Sequence, residues 1–270
     1  MKKKKYVYAL KSVNSDMTSH NGFKWKKNGM VTAPDWNNKQ ECGGGLHAFL
    51  NGEGDGHLAN WDNEAVWLVL KVEDGTYIDL CGKIKFPRCT VLFSGNRLKA
   101  TEKLRDLGCT GAVIGSTLTG GDCSTLTGGY GSTLTGGYGS TLTGGACSTM
   151  TGGDCSTLTG GYRSTLTGGY GSTLTGGDGS TLTGGACSTL TGGYGSTLTG
   201  RDCSTLTGGD GSTLTGGDGS TLTGGYRSTL TLCYYLDRKR LVTRYVGEDG
   251  IKPNTPYRLN DAHEFEEVKA

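Results

Sequence analysis

Thirty threonines occur as fifteen Thr-x-Thr pairs that recur every eight residues between Ser116 and Thr231. The pairs are Thr117 with Thr119, Thr125 with Thr127, Thr133 with Thr135, Thr141 with Thr143, Thr149 with Thr151, Thr157 with Thr159, Thr165 with Thr167, Thr173 with Thr175, Thr181 with Thr183, Thr189 with Thr191, Thr197 with Thr199, Thr205 with Thr207, Thr213 with Thr215, Thr221 with Thr223, and Thr229 with Thr231. On an extended strand the two side chains of a pair point the same way, about 6.6–7 Å apart. Each pair offers two hydroxyls and two methyls to one surface. That is a chemistry of adsorption and water ordering.

Three other groupings could do chemistry. Cys42 and His47 pair a potential nucleophile with a potential base, but no Asp or Asn stands at a recognisable spacing to orient them. A structural cysteine near a satisfied histidine is the simpler reading. His57 with Asp55 and Glu53 suggests a metal site. The run Gly52-Glu53-Gly54-Asp55-Gly56 reads more simply as a flexible loop, and it lacks an EF-hand pattern. Ser94-Gly95-Asn96-Arg97 precedes an expected helix whose first amides could take a phosphate. The Walker A lysine spacing is absent, and Asn96 as an N-cap explains the segment. The expectation is therefore a non-enzyme with no catalytic residue, no metal and no cofactor.

The elements that position the threonines follow from the repeat Ser-Thr-Leu-Thr-Gly-Gly-X-Z, with X mostly Tyr or Asp and Z Gly, Cys or Arg. A fixed period marks a repeat architecture. Glycine-rich polar repeats often stay unfolded. Here every unit carries one large apolar residue at a fixed place (Met150 once replaces Leu), Thr-Leu-Thr favours a strand, and variation is concentrated in two columns. Side chains alternate along a strand, so Leu and Ser point inward and both threonines outward. The Gly-Gly pair is expected to supply the positive φ needed at a corner. One octad spans at most about 26 Å, too little to enclose a leucine. Two octads per coil, sixteen residues, give a flattened parallel β-solenoid of about seven and a half coils, roughly 35 Å long.

That arithmetic sorts the threonine pairs onto two faces of eight and seven rows, with interior leucine and serine ladders whose hydroxyls can bond from coil to coil. It places Tyr130, Tyr162, Tyr194 and Tyr226 on one edge, and Tyr138 and Tyr170 on the other. Cys123, Cys155, Cys187 and Cys203 share an edge, and only Cys187 and Cys203 fall in adjacent coils. Rows about 4.8 Å apart make a lattice of methyls and hydroxyls that can order water at near ice-like spacing.

The flanks read differently. Residues 1–107 are expected to form a small α+β capping domain: a first strand at Tyr6–Leu10, a central strand at Val66–Val72, further strands at Tyr77–Leu80 and Cys89–Phe93, and a turn at Asp74-Gly75 making a hairpin. A helix is expected from Asn96 to Leu107 with Leu98, Leu104 and Leu107 inward, stopped by Gly108. Residues 108–232 are the solenoid. Residues 233–270 are expected to be a short β-rich cap, because open solenoid ends invite aggregation. The 50 glycines are far above the usual share of about 7%, while 4 prolines exclude collagen. A net charge of +2 gives no strong pull toward nucleic acid or membrane. No apolar segment of about 7–15 residues follows the basic opening Met1-Lys2-Lys3-Lys4-Lys5 (Tyr6–Leu10 is too short), and no apolar stretch is long enough to span a bilayer, so a cytoplasmic protein is expected. The 10 cysteines include no C-x2-C pair and are read as free thiols.

Gly129–Thr135, Gly-Tyr-Gly-Ser-Thr-Leu-Thr, resembles the repeat of bacterial ice nucleation proteins, whose octads read Ala-Gly-Tyr-Gly-Ser-Thr-Leu-Thr. The resemblance covers residues 115–231. It implies a β-solenoid, water ordering by the Thr-x-Thr rows, and side-to-side assembly through Tyr130, Tyr162, Tyr194 and Tyr226. The sequence departs from that pattern in three ways. Gly replaces Ala before Tyr, Asp interrupts the tyrosine column, and fifteen octads are far fewer than full nucleators carry. The secretion and membrane-association region of such nucleators is not read in residues 1–107.

Glu41-Cys42-Gly43-Gly44-Gly45-Leu46-His47-Ala48-Phe49 resembles the Cys-x-x-Gly-Phe-His-Ala pattern of an uncharacterised domain at the front of bacteriophage and bacterial repeat proteins. Tyr245–Thr255 looks like the tail of the same proteins, which implies a phage origin. The first functional expectation is a water-ordering, ice-binding or antifreeze-like surface whose partner is water or ice, with a possible homo-oligomer through a solenoid edge. The alternative is a phage interaction protein using the solenoid as a rigid scaffold or decoy for a host protein. A nucleic-acid mimic is disfavoured, because Asp122, Asp154, Asp178, Asp202, Asp210 and Asp218 are sparse and Arg163, Arg201 and Arg227 interrupt them.

Overall fold

The computed structural model describes residues 5–268; the basic opening Met1-Lys2-Lys3-Lys4 lies outside them. The described chain forms two compact units. One comprises the residues up to Thr117 together with Thr127–Ser132; the other comprises Leu118–Leu126 and the chain from Thr133 onward.

The first unit contains β1 (Tyr6–Val13), β2 (Gly29–Thr32), β3 (Leu46–Leu50), β4 (Val66–Glu73), β5 (Ile78–Asp79), β6 (Ile84–Phe86), β7 (Arg88–Gly95) and α1 (Arg97–Asp106). The strands form one sheet in the order β2-β7-β4-β1-β3-β6-β5. All its strand pairs are antiparallel. The apolar run of β4 is continuous because both its faces are buried. Leu68, Leu70 and Val72 pack with Trp25, Val31 and Phe86, while Trp67 and Val69 pack with Leu10, Phe49 and the α1 residues Ala100 and Leu104.

Two expectations for this unit change. Asp74-Gly75 does turn the chain, with Thr76 N and Oγ1 both donating to the Glu73 carbonyl, but it makes no hairpin. Both edges of β4 are occupied by β1 and β7, so the short β5 pairs with β6 instead. Leu98 is 44% exposed; the inward positions of α1 are Ala100, Thr101 and Leu104. Asn96 caps the helix, its Oδ1 accepting from Lys99 N at 3.0 Å, and Gly108 follows at φ +94°.

The second unit is built from the repeat. Fifteen strands, β8 to β22, follow at eight-residue intervals, from β8 (Thr117–Thr119) and β9 (Thr125–Thr127) to β21 (Thr221–Gly224) and β22 (Thr229–Tyr235). Even-numbered strands form one sheet and odd-numbered strands the other. Pairing is parallel and in register at sixteen residues: Thr157, Leu158 and Thr159 lie against Thr173, Leu174 and Thr175. The expected parallel β-solenoid with two octads per coil is the observed fold. Between the sheets the leucine ladder from Leu134 to Leu230 is at most 1% exposed, with Met150 fitted into it. Burying each such side chain contributes about 1.5–3 kcal/mol.

The corners do not use glycine as expected. Left-handed backbone falls at position Z, at Cys123, Cys155, Arg163 and Cys203 (φ 54° to 59°) as well as at Gly139 and Gly171. The Gly-Gly pair lies outside the left-handed region and is glycine for want of space. A Cβ on Gly152 would sit 2.3 Å from Ser156 Oγ, and one on Gly153 would sit 2.8 Å from backbone atoms of Gly137 and Tyr138 in the preceding coil. The serine ladder is half as expected. Ser156, Ser180 and Ser188 pair with Ser172, Ser196 and Ser204 in the next coil at 3.2–3.4 Å. From Ser116 to Ser148 the buried hydroxyls have no partner among the described residues.

The stack ends by switching to antiparallel pairing. β23 (Lys239–Tyr245) pairs with β22, and β24 (Pro256–Leu259) pairs with β21 and with β25 (Phe265–Glu267). Val246, Ile251 and Tyr257 join the foot of the leucine core.

Candidate functional site

The Thr-x-Thr rows are positioned by the inter-coil ladder beneath them. Thr165 N donates to Ser148 O and Thr181 N to Ser164 O, at 2.8 and 2.9 Å, and the same bond repeats from coil to coil. With the backbone engaged between coils, what a row presents outward is the methyl and hydroxyl of each threonine.

The two sheets divide the threonines as the sixteen-residue coil requires. The even-numbered strands carry Thr117, Thr119, Thr133, Thr135, Thr149, Thr151, Thr165, Thr167, Thr181, Thr183, Thr197, Thr199 and Thr213, all exposed. The odd-numbered strands carry Thr125, Thr127, Thr141, Thr143, Thr157, Thr159, Thr173, Thr175, Thr189, Thr191, Thr205 and Thr207, also exposed. Five expected surface residues depart from this pattern. Thr215, Thr221, Thr223, Thr229 and Thr231 are only half-exposed, which leaves twenty-five of the thirty open. The reason is the end of the stack, where β23 and β24 place Tyr245, Thr243 and Pro256 opposite Thr229, Thr231 and Thr223. Thr231 Oγ1 lies 3.0 Å from Thr243 Oγ1, so that hydroxyl already has a protein partner.

The edges carry a device that sequence reasoning missed. Asp122 Oδ1 accepts from Tyr138 N, Asp154 from Tyr170 N, Asp178 from Tyr194 N, Asp202 from Asp218 N and Asp210 from Tyr226 N, at 2.8–3.0 Å. Each of these aspartates at X therefore ties its coil to the next. The signal was present in the sequence: each of them is followed, sixteen positions later, by Tyr or Asp. Asp at X does not merely interrupt a tyrosine column; it holds the corner at which the next Tyr sits.

The tyrosines separate into two groups. Tyr162, Tyr194 and Tyr226 are 47–68% exposed. Tyr130 belongs to the first unit, half-buried with its ring centroid 5.3 Å from Trp61 and 4.8 Å from His57. That removes it from the exposed column. On the other edge Tyr138 and Tyr170 alternate with cysteines, and hydrogen bonds with Cys155 and Cys187 push their phenols up. All 10 cysteines are free. Cys203 is pushed up by local desolvation and then by Cys187 in the adjacent coil.

The remaining candidates are only partly assembled. Cys42 and His47 line one cavity of about 800 Å³ in the first unit, with Cys42 exposed on its loop. Asp55 Oδ1 accepts from His57 N at 3.0 Å, capping a single helical turn. No group of three or more His, Cys, Asp or Glu side chains able to hold a metal occurs among the described residues. At the start of α1 the Lys99 amide donates to the Asn96 side chain and the Ala100 amide to its carbonyl. Among the described residues no helix is long and apolar enough to cross a membrane.

The chain is similar to ice nucleation proteins. It is 53% identical over 98 residues to one from Xanthomonas campestris pv. translucens, covering 36% of this chain and 6% of the relative. It is 56% identical over 94 residues to one from Pseudomonas syringae pv. syringae (34% and 8%), and 35% identical over 106 residues to one from Pseudomonas fluorescens (38% and 9%). The chain thus spans less than a tenth of the length of these relatives. Residues 7–105 match a domain of unknown function, DUF7666. No solved structure matches the chain. None of these relatives supports the phage scaffold.

Proposed function

We propose that the solenoid is a non-enzymatic water-ordering surface that promotes or binds ice through its Thr-x-Thr rows. The carrying observation is the in-register stack of exposed threonine pairs on two sheets, built from a repeat like that of the ice nucleation proteins. Spacings of about 4.8 Å between rows and about 6.6–7 Å within a pair set a rigid two-dimensional pattern of hydroxyls. The methyls favour cage-like water, and the hydroxyls anchor it.

The small lattice bounds the activity. Six fully open short rows on each face make a weak nucleator of a single molecule, and side-to-side association would enlarge the surface. The exposed Tyr162, Tyr194 and Tyr226 edge suits that role; Tyr130 does not. Droplet freezing temperature, thermal hysteresis and ice recrystallisation test the reading. They are to be measured on the wild type and on a variant carrying Thr157→Lys, Thr165→Lys, Thr173→Lys and Thr181→Lys, which interrupts the rows of both sheets. The wild type should freeze droplets at higher temperature or restrain recrystallisation, and the variant should not. Indistinguishable behaviour in all three assays overturns the proposal.

A further inference from the structure

We propose that the N-terminal unit carries a binding site for a small oxyanion, phosphate or carboxylate, in the cavity walled by Lys11, Lys83 and His47. The site is separate from the threonine rows and does not depend on their function. Its volume of about 800 Å³ lies in the range of about 300–1,000 Å³ usual for small-molecule sites. Three neighbouring strands assemble it: Lys11 lies on β1, His47 on β3, and Lys83 immediately precedes β6.

The cluster lacks its counter-charge. Among the described residues the ion pairs of this unit are Lys39–Glu41 and Arg88–Glu73, and none reaches Lys11 or Lys83. Lys85 shows how the same unit treats a buried cation that is at rest: its ammonium donates to the carbonyls of Lys39 and Glu41 and to Asn37 Oδ1. No such cage forms around Lys11 or Lys83. His47 Nε2 is buried with no hydrogen-bond partner among the described residues.

The electrostatics agree. Burial, then Lys83, pulls Lys11 down to about 8. Burial, then Lys83, Lys11 and Lys85, pulls His47 down to about 4. Like charges crowded in a half-buried cavity are stabilised by an anion between them. The one carboxylate on the wall, Asp35, is exposed. Gly43, Gly44 and Gly45, at φ of 94°, 59° and 155°, bring bare backbone to the same wall.

The test uses the full chain and follows the His47 ring by NMR during titration with inorganic phosphate and, separately, citrate. At least one should give a saturable shift, and which one assigns the preferred headgroup. Lys11→Met and Lys83→Met should each weaken binding by about tenfold, the loss of one charge-assisted contact. Lys99→Met, on the exposed side of α1, should leave it unchanged. Lys83→Gln gives the same readout should a Met variant fail to fold. The proposal is overturned if neither anion moves the His47 signals, or if the Lys11 and Lys83 variants bind as the wild type does.

Discussion

In the first unit Leu10 of β1 lies opposite Phe49 of β3, thirty-nine residues further along the chain. In the solenoid Leu158 lies against Leu174, and the sixteen-residue step is the same at every coil. Both regions bury their apolar side chains to near zero exposure. In the antiparallel sheet each core residue has its own set of neighbours drawn from distant segments, so losing one weakens the whole unit. In the solenoid each leucine meets copies of itself, and stability accumulates from neighbour to neighbour. A repeated core tolerates damage locally; an irregular one responds as a whole.

That contrast can be broken most directly by emptying each core. Trp67→Ala is expected to destabilise the first unit by about 4 kcal/mol, and Leu174→Ala the solenoid by about 3 kcal/mol. All four tryptophans, Trp25, Trp36, Trp61 and Trp67, lie in the first unit, so fluorescence reports that unit while far-UV circular dichroism is dominated by the strands of both. Leu174→Ala should leave the fluorescence midpoint in denaturant where it was. A common shift of both signals would show that the two regions unfold as one.

A second substitution tests stacking within the solenoid. Gly153→Ala puts a Cβ against backbone of the preceding coil and should cost about 2 kcal/mol. Gly121→Ala fills the same place in the repeat but meets nothing within 4 Å. It should change stability by no more than about 0.5 kcal/mol. Equal thermal midpoints for the two variants would mean that coil-to-coil approach is not what holds this position to glycine.

The smallest expected effect separates the regions by pH. His47 is held near a pKa of about 4 when folded, against 6.5 when unfolded. Between those values the unfolded chain binds the extra proton, so stability falls as pH drops from about 6.5 towards 4. With partial exposure allowed for, the loss is about 1.5 kcal/mol. The repeat contains no histidine. The fluorescence transition should therefore weaken between pH 6.5 and 5, and His47→Asn should abolish that dependence. An unchanged slope in His47→Asn would place the acid sensitivity elsewhere.

Legibility in the sequence differed between the regions for the same reason. In the repeat, one inference about Ser-Thr-Leu-Thr applies fifteen times, so the sixteen-residue coil, the inward Leu and Ser and the outward Thr were all readable. In the first unit the strands at Tyr6, Val66 and Cys89 were readable from their apolar runs, but their partners were not. Asp74-Gly75 looked like a hairpin because local turn chemistry does not reveal that both edges of β4 are already taken. Leu98 looked buried because a leucine is conspicuous, while Ala100 and Thr101, which face inward beside the expected Leu104, are not.

By itself the sequence determined the solenoid, its period and the composition of its two faces, since a perfect repeat leaves few ways to bury one leucine per octad. Only the tertiary structure decided which rows stay open, because β23 and β24 lie against the last coils. It also decided why the glycine pairs are glycine: the approach of one coil to the next is a distance, and no single octad encodes it. The cavity of Lys11, His47 and Lys83 belongs wholly to tertiary structure. Its charges lie dozens of residues apart along the chain and meet only because β1, β3 and β6 are neighbours in the sheet.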